Sequence, residues 1–140
     1  MTNELRIERL TPEQATDAFE VVVELRTHLD QGEYARRLAL QRAAGYELVG
    51  AFEGDRIVGV LGMRRVDTLA RGPHLHVDDL VVRSSHRGRG IGKQLLGFAE
   101  QDARERGLVA LFLDSRQEVI GFYEHLGYGA HAALLMRKPL

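Results

Sequence analysis

Apolar and polar positions alternate along the chain in short blocks, and the period of each block predicts its element. Leu5 to Arg9 reads as a short strand. Thr11-Pro12-Glu13-Gln14 then carries three helix-start signals: Thr11 can be the N-cap, Pro12 suits the first helical position, and Gln14 can complete a capping box. Ala15, Ala18, Phe19, Val22 and Leu29 keep roughly helical spacing after it. A second helix is expected from Asp30, with Glu33 at the capping-box position, through Leu38 to Ala44, where Gly45 stops it. Tyr46 to Phe52 and Arg56 to Met63 are strand-like, and Glu53-Gly54-Asp55 between them predicts a hairpin. Arg64 to Pro73 is less regular and is expected to be a loop. His74 to Val82 is strand-like again.

The second half opens on Arg87-Gly88-Arg89-Gly90-Ile91-Gly92, which leads into a helix carrying Ile91, Leu95, Leu96, Ala99 and Ala103 and ending at Gly107. Leu108 to Leu113 is a continuous apolar run, as expected of a strand buried on both faces. Strand, glycine-rich turn, helix and strand form a βαβ unit, whose strands should be parallel. A short helix from about Glu118 to Leu126 follows, closed by Gly127, and Tyr128 to Lys138 is expected to supply one or two final strands. The order is strand, two helices, a three-stranded meander, helix, strand, helix and more strand. This predicts an α/β fold, a single mixed central sheet with flanking helices in one domain over residues 1–140.

Composition narrows the function classes. The chain has no cysteine, so disulfides and thiol nucleophiles drop out, in keeping with a reducing, cytoplasmic setting. No run of about 18 apolar residues predicts a membrane span, and Met1 to Leu5 lacks the basic flank and apolar stretch of a leader. With 19 basic against 20 acidic residues the formal charge is −1, which argues against a nucleic-acid or membrane-surface binder. Yet Arg83, His86, Arg87, Arg89 and Lys93 crowd into one segment. A local basic excess in a neutral chain points to a compact anionic ligand.

The glycine turn fits such a ligand. Gly88, Gly90 and Gly92 let the backbone turn sharply and approach a bound group. The first N–H groups of the following helix are unpaired and lie at its positive dipole end, which suits phosphate. The nucleotide-triphosphate loop pattern fails, because position 87 is Arg87 and Lys93 is followed by Gln94. The dinucleotide fingerprint fails too, because its third glycine would fall on Lys93.

Arg87-x-x-Gly90-x-Gly92 before an amphipathic helix resembles the acetyl-coenzyme A loop of the GNAT superfamily of N-acetyltransferases. Asp79-Leu80-Val81-Val82 looks like that family's fourth strand, and Phe122-Tyr123-Glu124-His125-Leu126-Gly127-Tyr128 is similar to its aromatic helix-and-turn signature. The spacing between the motifs and the elements before them agree, so the resemblance covers nearly the whole chain. It implies an enzyme that moves an acetyl group from acetyl-coenzyme A to an amine. The pyrophosphate would rest on Arg87, Gly88, Arg89, Gly90, Ile91, Gly92 and Lys93. The pantetheine arm would run beside Leu80, Val81 and Val82, with Ser115, Phe122 and Tyr123 completing the cofactor contacts. A backbone N–H near Val81 or Val82 would face the tetrahedral oxyanion. Tyr123 matches the family's proton donor to the departing thiolate; a phenol of pKa about 10 suits a thiol of about 8.5.

The amine must also lose a proton. Strict strand alternation puts His76 and Asp78 on one face of the strand and Val77 and Asp79 on the other. Asp78 is then the leading acceptor of the proton, with His76 as a titrating relay; Asp79 stays a candidate if a bulge near Leu80 reverses the faces. An ordinary aspartate, of pKa about 3.9, suits orienting a water and attracting a cationic acceptor better than final proton removal. His74, His76 and Asp78 could in principle hold zinc, but no second cluster accompanies them and no metal is expected. A small primary amine is the expected acceptor, with arginines such as Arg26 and Arg64 favouring one that bears an anion. Protein N-termini or lysines, and a non-catalytic acetyl-coenzyme A sensor, are the alternatives. A homodimer is expected.

Overall fold

The computed structural model describes residues 4–140; Met1, Thr2 and Asn3, on which the leader reading partly rests, lie outside the described residues. One five-stranded sheet runs in the order β1 (Leu5–Arg9), β2 (Glu47–Glu53), β3 (Arg56–Thr68), β4 (Gly72–Val82) and β5 (Leu111–Leu113). The first four strands are antiparallel neighbours, and β5 joins β4 in parallel. Helices α1 (Pro12–Asp17), α2 (Phe19–Val22) and α3 (Gln31–Ala43) cover one face, over a core that includes Tyr46, Phe52 and Val60. Helix α4 (Ile91–Glu105) covers the other, burying Ile91, Leu95, Leu96, Ala99 and Ala103 against Val49, Leu61 and Leu75. Tyr123 from α5 (Ile120–His125), and Tyr128 beyond it, pack at the margin of this second core. The single mixed sheet with flanking helices is the fold that the hydrophobic pattern predicts.

Local signals produced the expected starts. Thr11 accepts from the Gln14 N–H while Gln14 returns a bond to the Thr11 N–H, a complete capping box. Asp30 accepts from the Glu33 N–H, but Glu33 turns its carboxylate to Arg36 and Arg37 instead of closing a second box. The segment read as one first helix is two, because the chain turns at Ala18 between α1 and α2.

Four expectations need correction. The loop expected over Arg64 to Pro73 is mostly sheet: Arg64 to Thr68 pairs with His76 to Gly72, leaving only 69–71 as the turn. On the β3 arm of that hairpin, 64–68, no residue is buried, so the two-residue period carries no apolar signal there. Leu108 to Leu113 is not a strand buried on both faces. Only Leu111–Leu113 pairs, each residue half-buried, because β5 is the sheet edge. The helix expected from about Glu118 to Leu126 is present as α5, Ile120–His125, but its first turn, Gln117–Val119, is 3-10. No strand forms over Tyr128 to Lys138; Leu134, Leu135 and Met136 are exposed there, so the apolar run has no sheet face to cover.

Ion pairs tie α4 to the far edge of the sheet. Asp102 accepts from Arg9 at 2.8 Å and from Arg106, whose guanidinium also reaches Glu47 at 2.8 Å. Burial opposes charge on Asp102, but the bonds from Arg9 and Arg106 outweigh it and hold the carboxyl below its ordinary range. The C-terminal half of α4 is thereby anchored to β1 and β2, and its N-terminus opens on a cleft beside β4.

Candidate active site

The anion loop is built by backbone conformation. Gly88 and Gly90 sit at φ of 79° and 78°, in the left-handed region where a side chain is strained. Gly90 is the N-cap of α4 and supplies no side chain to bond the first helical N–H groups. A Cβ at either glycine would meet no protein atom within 4 Å, so the space above the loop is open to a ligand. At Gly92 a Cβ would sit 3.3 Å from Phe122. The helix end, the glycines and the Arg87 and Lys93 side chains fit a pyrophosphate. Carboxylates stand close by: Glu24 accepts from the Ser84 N–H at 3.0 Å and lies 3.9 Å from Arg87, while Glu53 lies 3.8 Å from Arg89.

The loop opens into a cleft of about 1170 Å³. Strands β4 and β5 make it. They pair only over Leu75–Val77 and Leu111–Leu113, and beyond that point Asp78 to Val82 on one side and Asp114 and Ser115 on the other form facing walls. Leu80, Val81, Val82, Arg87, Gly88, Gly90, Ile91, Gly92, Lys93, Ser115, Phe122 and Tyr123 all line this space. Arg89 and His76 do not. His76 lies behind the wall, with Nε2 3.8 Å from Asp78 and 3.9 Å from Asp114, and burial is the largest influence, lowering its pKa. A lowered histidine leaves its imidazole neutral at pH 7. Below about pH 6.5 the unfolded chain takes up a proton that native His76 resists, so this residue weakens the fold on the acid side. His74 is buried, its Nδ1 2.9 Å from the Gly72 carbonyl oxygen and its ring against Phe112. Among the described residues no three His, Cys, Asp or Glu side chains come together as a metal site.

A bulge decides which carboxylate shares a sheet face with Tyr46. Gly62 pairs with Asp79 while Met63 pairs with Val77, so Asp78 is an extra residue on β4. Alternation is reversed across it. Leu75 and Val77 face the α4 core, as do Leu80 and Val82 beyond the bulge, and Asp79 joins the opposite face with Tyr46. The strict alternation that grouped Val77 with Asp79 therefore fails at the bulge, and Asp79 lies on the face opposite Val77. Asp78 is bound to Arg64 at 2.8 Å. Asp79 accepts from Arg26 Nε at 2.8 Å and from the Tyr46 hydroxyl at 2.6 Å. Arg26 also donates to the Asp78 carbonyl oxygen at 2.8 Å.

Tyr46 was legible only as the first residue of a strand, and the structure makes it a site residue. Burial, followed by the charge of Asp79 and the bond to it, raises its phenol far above the ordinary range, so it is a permanent donor. Gly62 leaves the room: a Cβ there would overlap the Tyr46 hydroxyl. A glycine inside a strand signals such a close approach, and it is the one feature of the sequence that points to Tyr46. Gly62→Ala is expected to destabilise the fold by about 3 kcal/mol, the upper range for overpacking. For a chain of this size that lowers Tm by roughly 10 °C. In the double variant with Tyr46→Leu, the summed loss should be well short of additive. Thermal unfolding of the three variants checks this.

Tyr123 is half-buried on the cleft wall, its ring edge-on to Phe122 at 5.1 Å and to Tyr128 at 6.0 Å. Burial pushes its phenol above the usual value, so it stays protonated at neutral pH.

The Acetyltransferase (GNAT) family profile matches residues 7–128. The uncharacterized N-acetyltransferase YhdJ of Bacillus subtilis (strain 168) is 32% identical over 133 residues, covering 91% of this chain and 93% of its own. The glucosamine 6-phosphate N-acetyltransferase of Trypanosoma brucei brucei is 37% identical over 78 residues, covering 54% of this chain and 53% of its own. Among solved structures, a Trypanosoma brucei acetyltransferase superposes with a TM-score of 0.82 at 29% identity, covering 98% of this chain and 100% of that one. A predicted acetyltransferase from Clostridium acetobutylicum, solved with acetyl-CoA, shares the fold at a TM-score of 0.79 and 14% identity, covering 96% of each chain. A glycine loop at a helix start, opening into a cleft between parting parallel strands, is thus found in a chain that belongs to the GNAT family of acetyl-coenzyme A-dependent acetyltransferases.

Proposed function

We propose that the chain transfers an acetyl group directly from acetyl-coenzyme A to a primary amine on a small metabolite. One observation carries this reading: a single cleft runs from the anion loop, past Tyr123, to the carboxylate of Asp79. The loop residues Arg87 to Lys93 would hold the pyrophosphate, and Leu80 and Val82 would flank the pantetheine arm. The amine would attack the thioester carbonyl, its proton leaving toward Asp79. The Val81 or Val82 N–H would face the oxyanion, and Tyr123 would protonate the departing thiolate. The match to a glucosamine 6-phosphate N-acetyltransferase, over half of each chain, supports a small acceptor that carries an anion. Thiol release from acetyl-coenzyme A, measured across amino-sugar phosphates, amino acids, simple alkylamines and peptides, tests the reading. Selective release with a small amine is the expected result; release only with peptides would transfer the assignment to protein acetylation.

The bulge moves the proposed proton acceptor from Asp78 to Asp79. Asp79→Asn is expected to lower kcat/KM by about 10²-fold, the lower end of the range for a lost general base. Asp78→Asn should cost less than about threefold, because it removes only a partner of Arg64. Steady-state kinetics with a single amine distinguishes the two. His76, set behind the wall, has no relay role in this scheme.

A homodimer in the cytoplasm completes the proposal. The open edge of β5 and the exposed Leu134, Leu135 and Met136 support self-association. Light scattering at several concentrations checks the oligomeric state.

A further inference from the structure

We infer that Asp79 Oδ1 and the Asp78 carbonyl oxygen together form the binding site for the acceptor's ammonium group, and that Arg26 is the cation the acceptor displaces. The inference rests on the acceptor approaching the β4 carboxylate, as proposed above. The bulge creates the site. As the extra residue, Asp78 has no partner on β3, and its carbonyl oxygen accepts from Arg26. That oxygen and Asp79 Oδ1, from adjacent residues, converge on one guanidinium, each at 2.8 Å. Both residues and Arg26 line the cleft.

The two donors on Asp79 differ in what they can do. The Tyr46 hydroxyl, 2.6 Å from Oδ2, belongs to a buried ring set against Gly62 and cannot withdraw. Arg26 comes from the connection between α2 and α3, and its side chain is 37% exposed against 14% for Asp79. It is the partner that can leave. Leaving without replacement would strand a carboxylate in a half-buried wall, which is costly. Exchanging one cation for another keeps the carboxylate paired. An alkylammonium has three N–H donors on a single atom, enough to take over both oxygens. The site therefore selects acceptors that arrive as cations, unhindered primary amines, over neutral alcohols. Tyr46 is a positioning residue here: it reserves Oδ2 and leaves Oδ1 to the acceptor.

Occupation by Arg26 lowers apparent acceptor affinity by the fraction of molecules in which the site is open. Removing the side chain removes that competition. Arg26→Ala should lower the KM for the amine by roughly threefold to tenfold, and Arg26→Lys, which keeps a cation but loses the fork, by less. A second readout needs no turnover. In Arg26→Ala, guanidinium chloride or methylammonium chloride at non-denaturing concentration should shift the backbone amide signals of Asp78, Asp79 and Leu80 saturably, beyond a sodium chloride control. The same signals in the wild type should move much less. A higher KM in Arg26→Ala would overturn the inference by making Arg26 a residue that holds the acceptor. Amide signals that follow only ionic strength would overturn it as well. A chain that binds the small cations in Arg26→Ala yet releases no thiol with any amine would leave the subsite standing and sink the proposed reaction instead. Should Arg26→Ala fail to fold, Arg26→Gln serves both measurements.

Discussion

Gly90→Val is expected to abolish the rise in Tm that acetyl-coenzyme A gives the wild-type protein. A ligand that binds only the native state stabilises it by mass action, by about 2.7 kcal/mol at a hundredfold excess over Kd. For this chain that is a shift of several degrees. Gly90 holds φ at 78° as the N-cap of α4, and a β-branched residue is a poor occupant of that region. A Cβ at this position would meet no protein atom within 4 Å, so the side chain would project into the open space where the pyrophosphate is proposed to lie. Two effects therefore separate. Backbone strain lowers the unliganded Tm by a few degrees, for about 1–3 kcal/mol. Loss of the cradle removes the ligand-dependent shift. Gly90→Ala, with the same backbone cost in smaller form, should retain part of the shift. If Gly90→Val kept the full shift, the anion would bind elsewhere than the α4 N-terminus.

Tyr123→Phe should lower turnover by about 10²-fold while leaving acetyl-coenzyme A affinity within about twofold, the signature of a lost proton donor. The ring contacts with Phe122 and Tyr128 remain in the variant. What goes is a hydroxyl that burial keeps protonated, on a residue that lines the cleft. A thioester with a better leaving group, such as an activated aryl thioester, should narrow the gap between variant and wild type, because it needs less help to depart. Equal losses with both thioesters would make Tyr123 a wall of the cleft and no more. Turnover must be measured where chemistry limits the rate, since product release would hide the difference.

What could be read from the sequence was local. Thr11 with Gln14, Asp30 before its helix, and Gly54 in its hairpin act within a few residues, and each stands where it was expected. The glycine loop belongs to the same class, because φ at Gly88 and Gly90 is set by the residues themselves. The acceptor side was not legible, and the reason is distance along the chain. Asp79 meets Tyr46 and Arg26, 33 and 53 residues away, through a bulge whose position depends on how β4 pairs with β3. Nothing in Asp78-Asp79 itself says which of the two is the extra residue. A second failure has the opposite cause. The outer arm of β3, 64–68, is held by backbone pairing to β4 with none of its own side chains buried, so those side chains carry no pattern to read. The C-terminal run fails for lack of a partner: Leu134 to Met136 are apolar but exposed. Apolar composition predicts burial only where a surface exists to receive it.

The central claim is direct acetyl transfer from acetyl-coenzyme A to an amine within one cleft. It is tested most directly by a single-turnover reaction with acetyl-coenzyme A and the best amine found in the screen, quenched over time and read by mass spectrometry of protein and small molecules together. Thiol and N-acetylated amine should appear in equal amounts and at the same rate, with the protein mass unchanged throughout. A protein carrying an added acetyl group that decays as product forms, or thiol released without any amide, would contradict it.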